Sequence, residues 1–110
     1  MPQQIRAVVV DPAAPGRLAI KTVPLRDPDR DEVRVRVSAI SLNRGETRRA
    51  VQQAEAGWQP GWDFAGVVES AAADGSGPAP GARVVGLLPS GAWAERVNCR
   101  THAVAALPDA

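Results

Sequence analysis

Tyrosine is absent from this 110-residue chain, cysteine and histidine occur once each, and lysine supplies only one of the 13 basic residues. Each scarcity excludes something. A single Cys99 rules out an intrachain disulfide framework, and one Cys with one His (His102) cannot furnish an ordinary structural zinc site. Without tyrosine the chain has no phenolic general acid. No stretch approaches the roughly 18 consecutive apolar residues of a membrane span, and the N-terminus lacks a charged segment leading into an apolar run. An excess of one charge sign is missing too: 13 basic and 12 acidic residues leave a net charge of +1, which gives no case for nucleic acid or a membrane as partner. The expectation is a soluble, cytoplasmic chain with room for one domain over residues 1–110 and not for two.

What is present suffices for a core. Hydrophobic residues make up 45% of the chain, while ten Gly and ten Pro predict many turns and few long helices. The whole aromatic complement is Trp58, Trp62, Trp93 and Phe64, residues suited either to the core or to the wall of a pocket.

Ile5 to Val10 reads as a strand, followed by a Pro/Gly turn and a second strand over Arg17 to Val23. The run Arg26-Asp27-Pro28-Asp29-Arg30-Asp31 mixes both signs and reads as a solvated connection. The clearest strand is Glu32 to Ile40, with Val33, Val35, Val37 and Ala39 on one face and Arg34, Arg36 and Ser38 on the other. One helix is expected from Arg44 to Ala56, with Asn43 and Glu46 as a capping pair and Gly57 as its stop. Further strands are predicted at Trp62 to Glu69, with a small-residue break at Ala65-Gly66, and then at Arg83 to Leu88, Ala92 to Asn98 and Ala103 to Leu107. Short strands, one helix and regular turns describe a small, mainly β barrel.

The order of these segments resembles the N-terminal half of medium-chain dehydrogenases/reductases, in particular their zinc-free quinone-oxidoreductase branch. The segments that carry it are Glu32 to Val37, Ser41-Leu42-Asn43-Arg44-Gly45-Glu46, Pro60 to Glu69, Pro80 to Leu87 and Gly91-Ala92-Trp93-Ala94-Glu95. The resemblance implies a GroES-like, partly open β-barrel. Zinc-dependent members carry Cys where this chain has Asn43 and a His-Glu pair where it has Trp62-Asp63. Losing both soft ligands removes the catalytic metal. In the family a nucleotide-binding domain with a glycine-rich strand–turn–helix follows this half. No such motif stands here, because Gly75-Ser76-Gly77 runs into Pro78-Ala79-Pro80 and reads as a loop. No cofactor and no metal are therefore expected on this chain alone.

The family places its substrate beside the positions matched by Asn43, Glu46, Trp62 and Asp63. By that resemblance Asn43, Glu46 and Asp63 are the candidate catalytic residues, while the flat apolar faces of Trp62, Trp93, Trp58 and Phe64 make these the candidate substrate walls. Asn43 and Glu46 also fit a helix cap, and Asp63 also fits an exposed turn. Beside an indole and partly desolvated, Asp63 would instead serve as acid or base. Arg48 and Arg49 are expected to project into water, His102 to lie at the surface or the barrel end, and Cys99 to be an inert buried thiol.

Three functions follow as expectations. The first is a stand-alone, cofactor-independent enzyme that cyclises or rearranges a small apolar, polyketide-like molecule, working mainly by orientation. The second is the substrate half of an NADPH-dependent quinone/enoyl reductase acting with a separate nucleotide-binding domain. The third is a non-catalytic binding or assembly module. A homodimer is expected under each, since it would cover bare apolar surface.

Overall fold

The computed structural model describes residues 2–108. Strands β1 (Gln3–Val10) and β2 (Leu18–Leu25) pair antiparallel along their whole length, from Gln3 opposite Leu25 to Val10 opposite Leu18. The turn between them needs left-handed backbone at Gly16 (φ 68°) and again at Arg17 (φ 65°), a conformation that costs a non-glycine residue energy.

The second sheet is built from β3 (Glu32–Ile40), β4 (Asp63–Ser70), β5 (Arg83–Leu87), β6 (Arg96–Arg100) and β7 (Val104–Ala106). Its order is β6-β3-β4-β5-β7, every pair antiparallel. Alternation along these strands sends Val33, Val35, Phe64, Val68, Val84, Val97 and Cys99 into one core. Although β6 and β5 are not neighbours in the sheet, Cys99 Sγ on β6 lies 3.5 Å from the Leu87 carbonyl at the end of β5. The sheet therefore curls back on itself as a half-barrel, in agreement with the mainly β, partly open barrel expected.

Two irregularities depart from simple alternation. On β3 the register against β4 shifts between Val37 and Ala39, a bulge that leaves Ala39 and Ile40 exposed instead of continuing the Val33/Val35 face. Across from it, Gly66 is required by close approach: a Cβ there would stand 2.1 Å from the Arg36 carbonyl oxygen. The predicted strand Ala92 to Asn98 is divided. Residues 92–95 form a connector whose backbone serves both sheets, with Val8 N–H donating to Trp93 O (2.9 Å), Glu95 N–H to Arg6 O (3.0 Å) and Val37 N–H to Glu95 O (2.8 Å).

The predicted helix also needs correction. α1 (Arg44–Arg48) is a single short turn, continued by a wider π-helical turn over Arg49–Gln53 in which Ala54 N–H donates to Arg49 O at 2.7 Å. The helix ends there because Ala54 gives its carbonyl to Arg17 Nη2 (2.7 Å) and Gly57, at φ 90°, gives its N–H to Val10 O (2.8 Å). The Ala50 and Ala54 side chains pack on Val10.

The charged connection before β3 is not simply solvated. Arg26 clamps the buried Glu32 carboxylate through both oxygens at 2.6 and 2.8 Å, and the Asp29 N–H adds a third donor at 2.7 Å. The Arg26 carbonyl in turn accepts from Arg34 Nη2 and from the buried Asn98 side chain. This polar lock fastens the end of the β1–β2 hairpin to β3 and β6.

Candidate functional site

The site starts from a register. Ile40 at the end of β3 faces Phe64 on β4, so continuing the antiparallel pairing brings Ser41 across from Asp63. Ser41 Oγ donates to Asp63 Oδ1 at 2.5 Å. The Asn43 amide stands behind the pair, with Nδ2 3.3 Å from Ser41 Oγ and 3.4 Å from Asp63 Oδ1. Trp93 Nε1–H donates to the Ser41 carbonyl at 3.2 Å and fixes the serine's backbone.

Glu46 closes the arrangement from below. Its carboxylate accepts the Asn43 N–H (3.1 Å) and Asn43 Nδ2–H (2.5 Å) on Oε1, and the Trp62 N–H (2.5 Å) on Oε2. The predicted cap is thus made on the glutamate's side, and the same carboxylate ties α1 to the chain entering β4. Glu46 has no exposed surface. Its carboxylate is bonded to Asn43 and Trp62, so its part is to hold those two residues in place.

Ser41 and Asp63 open into a hollow of about 590 Å³ whose other walls include Ile40, Phe64, Val85, Leu87 and Val104. Its apolar side is bare: Ile40, Val85 and Leu87 are exposed, Leu87 at 63%. Of the aromatics expected as walls, Phe64 alone borders this hollow, as part of the core beneath it. The indole of Trp93 is buried behind Ser41, and the tip of Trp62 covers Gly45. Trp58 lies elsewhere, against Val10, Ala50 and Ala54, with the Arg49 guanidinium 4.5 Å above its ring. Arg49 therefore stacks on an indole and does not simply project into water.

Sequence reasoning brought Asn43, Glu46, Trp62 and Asp63 together, and they do meet. It missed Ser41, the hydroxyl that shares the hollow with Asp63. The signal available was the strand pairing that sets Ser41 against Asp63. His102 is exposed at the rim, and burial pushes the Cys99 thiol up to about 11. No group of three or more His, Cys, Asp or Glu side chains fit to hold a metal ion occurs among the described residues. Nor is any helix there long and apolar enough to cross a membrane.

Residues 29–109 match the family model of the alcohol dehydrogenase GroES-like domain. No curated protein matches the chain significantly. Among solved structures, human synaptic vesicle membrane protein VAT-1 homolog-like protein is similar at 26% identity and a TM-score of 0.86, over 96% of this chain and 35% of that one. The quinone oxidoreductase from Coxiella burnetii follows at 18% identity and 0.85, over 97% and 38%. Escherichia coli quinone oxidoreductase complexed with NADPH gives 21% identity and 0.81, over 94% and 33%. The last two likenesses show the fold alone, and this chain spans about a third of the length of each of the three. With a mainly β half-barrel and a family match over most of its length, the chain belongs to the alcohol dehydrogenase GroES-like domain family.

Proposed function

We propose that this chain is the substrate-holding half of a quinone/enoyl reductase whose dinucleotide is carried by a separate nucleotide-binding domain. The observation that carries this reading is the apolar hollow with the Ser41–Asp63 pair at its polar end. A flat apolar carbonyl compound suits such a place. Its ring would lie against Ile40, Phe64, Val85 and Leu87, and its oxygen would accept a hydrogen bond from the Ser41 hydroxyl turned away from Asp63. Once that oxygen becomes a hydroxyl, it can donate to Asp63 instead. Asn43 and Glu46 act as positioning residues behind the pair.

The residues present do not fit a dinucleotide. Among the described residues no strand leads through a glycine-rich turn into a helix, and Gly75 and Gly77 sit in turns between β4 and β5. Hydride delivery is accordingly assigned to no residue of this chain. Cofactor-free cyclisation and a purely structural role have no observation of their own in their favour. Calorimetric titration of the 110-residue chain with NADPH tests the proposal. The expected result is no binding from a folded sample; micromolar binding by the chain alone would contradict it.

A further inference from the structure

Leu87, His102 and Ala103 border the Asp63 hollow and also a second one, of about 630 Å³, which the reading above does not use. Its apolar lining comes from Ile5 and Leu25 of the hairpin, Trp58, Leu88 and Val97. Its charged lining is unbalanced. Arg26, Arg96 and Arg100 border it with a single carboxylate, Glu32, and both oxygens of Glu32 are already clamped by Arg26. Alternation along β6 sets Arg96, Asn98 and Arg100 on one face.

Both acids that pair with Arg96 stand outside the hollow, whereas Arg100 pairs with acids outside it and also approaches the buried Glu32 of its lining, at 4.0 Å. Arg96 Nε meets Glu69 at 2.7 Å and its Nη1 lies 3.7 Å from Glu95; Arg100 pairs with Asp31 and, at 3.0 Å, with Asp29. All four carboxylates are at least a third exposed, and such pairs are individually weak. A bound anion can share the Arg96 guanidinium without breaking a buried pair.

We propose that this second hollow is a binding site for a small organic anion with an apolar body, a medium-chain carboxylate being the simplest member. Its carboxylate lies against Arg96, the less exposed of the two β6 arginines, with Arg100 flanking it, and its hydrocarbon lies along Leu25, Trp58 and Leu88. The site stands independently of the reductase reading, because it uses neither Ser41 nor Asp63.

The test is calorimetric titration of the 110-residue chain at low salt with decanoate, 1-decanol and decyltrimethylammonium. The expected result is that decanoate binds about tenfold or more tightly than either companion, that about 0.5 M salt weakens it, and that Arg96→Gln or Arg100→Gln removes most of the preference. Equal affinity for decanoate and decanol, or no heat with decanoate, overturns the proposal. So does an unchanged decanoate affinity in both arginine variants. The comparison of the three probes on the unaltered chain decides the matter even if a variant fails to fold.

Discussion

Glu46 shows how one side chain can look like one thing in sequence and become another in the fold. Three residues after Asn43, it is legible as a cap, and the cap is made. Its complete burial and its bond to the Trp62 N–H depend on where residues 60–62 return, which no local pattern encodes. An amide at this position would turn N–H groups toward donors. Glu46→Gln is therefore expected to destabilise the chain by about 2 kcal/mol, read as a lower urea midpoint. An unchanged midpoint would mean that the carboxylate is dispensable. The same reasoning explains why Asp63 was legible and Ser41 was not. Both lie in segments that carry the family likeness, but Asp63 is a carboxylate beside an indole in sequence, whereas the serine's importance comes only from the pairing that faces it with Asp63.

Among the elements, β3 was read most fully and the helix least. The alternation of Val33 and Val35 against Arg34 and Arg36 is a local signal that survives folding. The bulge at Ser38 interrupts it, and the sequence mark of the crowding opposite is the small pair Ala65-Gly66. Gly66→Ala should cost about 3 kcal/mol, because the new methyl collides with a backbone carbonyl that two strands hold in place. Thermal melting checks this, and a shift of only a degree or two would show that the strands can part there at little cost. For the helix, the pattern after Arg44 is compatible with continuation to Ala56. It stops early because Arg17 and Val10, distant in sequence, claim the backbone groups of Ala54 and Gly57. Tertiary contacts overrule a local preference at that point.

The molecule as a whole is a hairpin and a half-barrel, joined by the 92–95 connector and by the lock around Glu32. Hydrogen bonds from Arg26 hold the Glu32 carboxyl down at about 2 from an ordinary 4.5, against the opposing effect of burial. Because the folded value lies below the unfolded one, this stabilisation is complete above about pH 4.5 and is lost as the pH falls toward 2. Since Arg26 is half exposed, the contribution is about 1–2 kcal/mol and not the full value of the shift. Glu32→Gln should be less stable at neutral pH and lose less stability between pH 4.5 and 2 than the unaltered chain. Parallel acid-unfolding curves for the two would remove Glu32 from this role.

The hollow beside Ser41 and Asp63 is proposed to hold a flat apolar carbonyl compound. Nitrogen-15 NMR titration of the chain with 1,4-naphthoquinone tests it most directly. Shifts are expected to be confined to the amides around Ala65, Val85, Gly86 and Val104, with an affinity about fivefold weaker in Ser41→Ala. Shifts centred on other residues, or none at millimolar ligand, would contradict it.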